Sequence, residues 1–161
     1  MSVGFETYGM DISSYAIHKA RELTKRTVLY IKNAEDLFPF PDEYFHIVTL
    51  FDVIEHLKFP KNAIKESQRV LKPEGIICLT TPNPIGMGRI FLSRFFEKWR
   101  EKDSTHISVN FPWFWVCLLK ALGFRILEIK FYIENLFGKF DISLPYLGGT
   151  TMIIAKKEVR K

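Results

Sequence analysis

The sequence predicts an α/β fold, a mostly parallel sheet with helices on both faces, and three observations predict it. Strand-like and helix-like segments alternate with short joints from Phe5 to Thr81, which is the pattern of βαβ units whose right-handed crossovers spread helices over both faces. Two strand-like runs lead into acidic residues, Asp11 and Asp52, and in open α/β sheets ligands collect at such carboxyl ends. The 161 residues, 47% apolar and 25% charged, suit one globular domain large enough to bury a core.

Taken in order, residues 5 to 12 read as a strand, and Ser13 or Ser14 then offers a helix N-cap. Ala16, Ile17, Ala20 and Leu23 recur at helical spacing, with Lys19, Arg21 and Glu22 on the other face. Thr27 to Ile31 is a β-rich run, and Asn33 to Asp42 is a loop punctuated by Pro39 and Pro41. Phe45 to Phe51 is the next strand. Pro60 suits a first helical turn, and Ala63, Ile64, Ser67, Val70 and Leu71 continue one face until Lys72-Pro73-Glu74-Gly75 breaks the pattern. Gly75 to Thr81 returns to strand. Ile90, Phe91, Phe95, Phe96 and Trp99 suggest a helix with an aromatic face, and Phe111 to Leu122 a second that ends at Gly123. Phe124 to Tyr132 and Thr150 to Lys156 read as closing strands, joined by a connection over 133 to 149 that is long for a hairpin.

Composition removes several classes of function. Lys and Arg total 23 against 18 Asp and Glu, a net charge of +5, but the excess is scattered, so no nucleic-acid partner is expected. Cys78 and Cys117 form no CxxC or Cys/His ligand pattern; no metal is expected, and both thiols read as buried and free in a reducing cytoplasm. Residues 1 to 20 lack a basic start followed by an apolar region, and no run of about 18 apolar residues suggests a membrane span. The expected location is cytoplasmic.

Phe45-His46-Ile47-Val48-Thr49-Leu50-Phe51-Asp52-Val53-Ile54-Glu55-His56-Leu57, then Val70-Leu71-Lys72-Pro73-Glu74-Gly75 and Leu79-Thr80-Thr81-Pro82-Asn83-Pro84, resemble the second half of the class I S-adenosylmethionine-dependent methyltransferases. Gly9-Met10-Asp11-Ile12-Ser13 matches the Gly-x-Asp-x-Ser context of that family's second strand. The resemblance implies a Rossmann-like three-layer αβα sandwich with an antiparallel strand near the C-terminus. It also implies S-adenosyl-L-methionine as cofactor and a small-molecule methyl acceptor.

The site residues follow from the same resemblance. Asp11, with Ile12 beside it, would accept from the ribose hydroxyls, since an ionised carboxylate offers only acceptors; the alternative is a helix cap. Asn33, Ala34 and Glu35 would form the adenine-contacting loop, against an ordinary Asx-turn. The family usually has an acidic residue where Asn33 stands, so the charge that strengthens such a bond is missing. Phe51 and Asp52 would line the cofactor pocket. Asp52, Glu55 and His56 fall at helical spacings and can cluster. A histidine side chain in general titrates near working pH, so His56 could take a proton from an attacking atom, and His106, in a segment resembling one that faces substrate, is the second catalytic candidate. The alternative makes Asp52 an N-cap and Glu55 and His56 scaffold. Thr81-Pro82-Asn83-Pro84 is a substrate-side loop or a structural stop.

The resemblance omits the family's first strand and its Gly-x-Gly-x-Gly turn, where a Cβ would block the cofactor; Gly86 and Gly88 follow the wrong strand. Residues 1–161 therefore read as a single, N-terminally truncated domain, and two inner strands are expected to lack a partner. Three explanations stay open: a fragment of a longer product, completion by strand exchange or homodimerisation, or a relative that no longer binds cofactor. A non-catalytic partner or regulatory subunit is accordingly the second functional reading.

Overall fold

The structure, a computed structural model, describes residues 4–24, 26–35, 40–86, 105–135, 138–140 and 148–159. They belong to two compact units, residues 1–38 and 39–161.

The first unit is a β-α-β element. Strand β1 (Thr7–Asp11) and strand β2 (Thr27–Ile31) pair in parallel, Thr7 beside Thr27 through Asp11 beside Ile31. Helix α1 (Ser14–Leu23) joins them. Ser13 caps the helix: its hydroxyl accepts from the Ala16 amide at 3.2 Å, satisfying one of the donors that every helix start leaves open. The expected strand over 5 to 12 is thus shorter at both ends, and of the two serines offered as cap it is Ser13 that serves.

The second unit holds a mixed sheet in the order β3-β4-β7-β5-β6. Its elements are β3 (Phe45–Phe51), a 3-10 turn (Ile54–His56), α2 (Pro60–Val70), β4 (Leu71–Pro82), α3 (Pro112–Ala121), β5 (Phe124–Asn135), β6 (Gly138–Phe140) and β7 (Thr150–Lys157). Strands β3 and β4 are parallel, and β7 runs antiparallel to both β4 and β5. Pro60 and Pro112 each sit in the first turn of their helices, where a missing N–H costs nothing. After α3, Gly123 adopts φ +82°, the left-handed conformation in which a side chain would be strained.

One face of the sheet carries the core. Across the β4/β7 ladder Ile77 lies opposite Ala155, Leu79 opposite Ile153 and Thr81 opposite Thr151, all buried. Leu50, Ile54, Ile64, Trp115, Leu119 and Phe124 join the same cluster, so α2 and α3 cover a common hydrophobic surface. No helix among the described residues is long and apolar enough to cross a membrane.

Three expectations need correction. Residues 133 to 149 are more than a connection, because Ile133–Asn135 and Gly138–Phe140 pair as an antiparallel hairpin. Strand β4 begins at Leu71 rather than Gly75: Leu71 pairs with Phe45 before a register shift carries the ladder to Ile76 opposite Ile47. Between them the chain bulges, with Glu74 at φ +66°. Cys117 is exposed and Cys78 half-buried, so the two thiols are not both buried. Burial pushes the Cys78 thiol above its usual range. A thiol reagent at neutral pH is therefore expected to label Cys117 first, because attack requires an accessible thiolate. Labelling rates of Cys78→Ser and Cys117→Ser variants check this, and faster labelling of Cys78 would contradict it. The expected aromatic helix at Ile90 to Trp99 lies outside the described residues.

Candidate functional site

In the first unit the parallel register sets carboxyl ends side by side. Asp11 ends β1 directly beside Ile31, the end of β2, and the Lys32 amide donates to the Asp11 carbonyl at 3.0 Å. Asn33, Ala34 and Glu35 follow at once, all half-buried, while Ile12 is exposed. The five residues named from sequence in this unit are thus gathered at one edge. Asp11 Oδ1 accepts from the Ser13 amide at 2.7 Å. It does not cap α1, since Ser13 does; its carboxylate is held at the strand end by a local turn. Asn33 Oδ1 accepts from the Glu35 amide at 2.9 Å, forming the Asx-turn that the residue type suggested. That bond occupies one lone pair of the oxygen and leaves the amide N–H2 groups to donate.

In the second unit β3 ends at Phe51, which is exposed, and Asp52 turns the chain at φ +51°. A left-handed aspartate tolerates this because its side chain bonds locally. Here the partner is the neighbouring strand: the Asp52 amide donates to Thr80 Oγ1 at 3.0 Å, and the Thr80 hydroxyl donates to Asp52 Oδ1 at 2.9 Å. The reciprocal pair ties the ends of β3 and β4 together. Asp52 is therefore not the N-cap of the following turn, whose N-cap is Val53 and has no side-chain bond.

The 3-10 turn presents Glu55 and His56, and residues 105–108 lie against it. The Ser108 amide donates to the Glu55 carbonyl at 2.8 Å, and Ser108 Oγ donates to the Leu57 carbonyl at 2.6 Å. His56 Nδ1 lies 3.2 Å from the Thr105 carbonyl, with Thr105 Oγ1 3.0 Å from the same nitrogen. A carbonyl can only accept, so in that contact Nδ1 donates, whereas toward the Thr105 hydroxyl either atom could be the donor. The His56 and His106 rings stand 4.6 Å apart between centroids. Potential ligand atoms of Glu55, His56 and His106 all lie within 4.8 Å of one another. Burial, reinforced by Asp52, raises the Glu55 carboxyl above its ordinary range, opposed by its own backbone and the two histidines. Glu55 is 1% exposed, and its Oε2 has no hydrogen-bond partner among the described residues.

Sequence reasoning named His56, His106 and Asp52 and offered Glu55 only as a spacing partner. It missed Thr80 and the stapling role of Ser108, since both contacts join residues far apart in the chain. Lys102, Asp103 and Ser104, the start of the segment that carries His106, lie outside the described residues. Asn83 is structural: it is fully buried, its Nδ2 donates to the Gly148 carbonyl at 2.9 Å and its backbone amide donates to the Gly149 carbonyl at 2.8 Å. A Cβ at Gly148 would come within 2.5 Å of the Tyr132 backbone nitrogen and oxygen. Gly148→Ala should therefore destabilise by about 1–3 kcal/mol through overpacking, read as a lowered midpoint in urea; an unchanged midpoint would refute this packing.

A further cavity of about 450 Å³ is lined by Asp42, Glu43, Gln68, Arg69 and Lys157. It lies where β3 and β4 begin, the end away from Asp52. Arg69 is already engaged there, by Glu66 at 2.9 Å and Asp42 at 2.6 Å. It is the opposite of the end where α/β ligands collect.

Comparison with known proteins agrees with this geometry. A family model described as a methyltransferase domain matches residues 1–79. The chain is 33% identical over 127 residues to the rice (Oryza sativa subsp. japonica) 2-methyl-6-phytyl-1,4-hydroquinone methyltransferase 2, chloroplastic, covering 75% of this chain and 32% of that protein. It is 32% identical over 136 residues to an uncharacterized protein of Methanocaldococcus jannaschii, covering 83% and 61%. The chain thus spans about a third to three fifths of the length of these two relatives. Among solved structures it superposes on a SAM-dependent methyltransferase of Archaeoglobus fulgidus with a TM-score of 0.72 and 24% identity, over 96% of this chain and 77% of that one. A Methanosarcina mazei structure of the same description gives 0.67 at 21% identity, over 95% and 82%. These likenesses establish a Rossmann-like α/β methyltransferase fold, the fold that the sequence predicted.

Proposed function

We propose that this chain, whose residues 1–79 match a methyltransferase-domain family model, is a class I S-adenosylmethionine-dependent methyltransferase and serves the transfer of a methyl group from S-adenosylmethionine to a small-molecule acceptor. The observation that carries the proposal is the β1/β2 register, which gathers Asp11 and the Asn33–Glu35 loop at the carboxyl ends of two parallel strands. Asp11 is exposed, and its Oδ2 has no hydrogen-bond partner among the described residues, which suits a ribose diol needing an acceptor. Asn33 and Ala34 would meet adenine, with Ile12 and Glu35 flanking them. Taken by itself, the second unit presents Phe51 and Asp52 at the end of β3 as proposed cofactor residues and His56 and His106 as proposed acceptor-facing residues.

S-adenosylmethionine, when bound, supplies a methyl already activated by the sulfonium charge. The chain's own work is then to bind, align and exclude water, which accounts for a large part of the rate in such reactions. A rigid strand end suits that work: the Asp52–Thr80 pair holds the mouth of β3, and the Thr105 carbonyl fixes the His56 ring. The acceptors to try first are hydroquinones and menaquinone precursors, since the rice relative and the demethylmenaquinone methyltransferase of Anoxybacillus flavithermus, 33% identical over 98 residues, bear those names. Incubation with methyl-labelled cofactor tests the proposal: label on a ring hydroxyl or ring carbon supports it, and no transfer to any of a broad panel of small molecules speaks against it.

A second reading is favoured by two features of the surface. Strand β3 pairs only with β4 and β1 only with β2 among the described residues, so each has an open side. Helix α3 exposes Trp113 and Phe114. An open strand edge and an apolar face suit association, so an interaction subunit, or a dimer that completes its sheets by strand exchange, is the alternative. Concentration-dependent mass without cofactor binding would select it.

A further inference from the structure

We propose that Glu55, His56 and His106 form a binding site for one divalent transition-metal ion, with coordination positions left open for water or an acceptor oxygen. Two imidazoles and one carboxylate converge from two segments stapled together by the Ser108 bonds to Glu55 and Leu57. Three protein ligands of the His/His/Glu kind, with an open position, are the donor set of catalytic rather than structural metal sites.

The carboxylate supplies the independent observation. A buried carboxyl oxygen without a partner is costly, since burying a polar group is tolerated when it is paired or coordinates a metal. Glu55 Oε2 is such an atom, in a side chain 1% exposed. The second observation is the Thr105 carbonyl 3.2 Å from His56 Nδ1: metal-binding histidines characteristically donate one ring N–H to a carbonyl while the other nitrogen binds the ion. The donors lie within 4.8 Å of one another, whereas bonds of about 2.0–2.2 Å bring tetrahedral donors to roughly 3.3 Å. Small side-chain rotations therefore close the set. Two nitrogen donors select zinc, manganese, iron, cobalt or nickel over magnesium or calcium, which prefer oxygen. The cysteine pattern that argued against zinc says nothing about such a set.

What the ion would do rests on the methyltransferase reading: it would bind an acceptor hydroxyl and lower its pKa, so that the oxygen is presented as an oxyanion. Binding itself does not rest on it.

Chelator-treated full chain titrated with Co²⁺ provides the test, followed by visible d–d absorption and by competition with Zn²⁺. One ion per chain is expected, with absorption of a low-coordinate site. Glu55→Gln and His106→Ala should each weaken uptake about tenfold or more, and the double variant of the other two histidines, His18→Ala with His46→Ala, should leave it unchanged. Circular dichroism confirms folding; if His106→Ala does not fold, the isosteric Glu55→Gln decides. Absence of saturable uptake, uptake indifferent to Glu55→Gln, or uptake lost with His18 and His46 would each overturn the site. No methyl donor is present in these measurements, so failure of the methyltransferase reading would leave their outcome intact.

Discussion

Replacing Trp115 with alanine should destabilise the second unit by about 3–5 kcal/mol, the range for removing a large aromatic from a packed core. The residue is fully buried beside Leu119, Phe124 and Ile153, and the Phe114 ring meets it edge-on at 5.0 Å. Against the roughly 5–15 kcal/mol that holds a typical domain together, such a loss leaves much of the chain unfolded at ordinary temperature. The indole Nε1 has no hydrogen-bond partner among the described residues. Trp115→Phe should therefore cost far less, because it removes an unsatisfied donor together with part of the ring. Urea unfolding of the two variants separates the effects: equal losses would show that the indole nitrogen matters, and a loss of under about 1 kcal/mol in the alanine variant would remove Trp115 from the core.

Asp11→Ala should weaken binding of S-adenosylhomocysteine, the product that shares the adenosine, by about tenfold or more, since hydrogen bonds to a charged group are worth about 1.5–3 kcal/mol. The same variant should leave thermal stability nearly unchanged. Asp11 is exposed, Ser13 already caps α1, and the side-chain bond lost among the described residues is the one from the Ser13 amide to Oδ1. Asp11→Asn, which keeps one acceptor oxygen, should fall between. Unchanged affinity in the alanine variant would sink the ribose assignment, and a large drop in stability would make Asp11 a structural residue.

What could be read from sequence follows from how local each determinant is. The bounds of β2 and β3 were legible because short β-branched and aromatic runs flanked by polar residues decide strands locally, and Pro60 and Gly123 mark a helix start and stop through their own backbone limits. Asp11 was legible as the acidic residue at the end of a strand, which is where β1 ends. The face of α3 was not: Pro112-Trp113-Phe114-Trp115-Val116-Cys117-Leu118-Leu119 is apolar almost all round, so periodicity cannot say that Trp115 is buried and Cys117 exposed. Nor could the hairpin of β5 and β6 be read, since Gly138–Phe140 is too short to show a pattern. The state of Glu55 was illegible for a different reason. Its burial, and the bond from His56 to Thr105, depend on segments 49 residues apart, a separation that spacing rules do not reach.

Calorimetric titration of S-adenosylhomocysteine into the 161-residue chain, with mass in solution recorded alongside and the Asp11→Ala variant in parallel, tests the central claim most directly. The account predicts saturable binding of one ligand per chain, weakened in the variant. Absence of binding, or binding that Asp11→Ala leaves untouched, would contradict it.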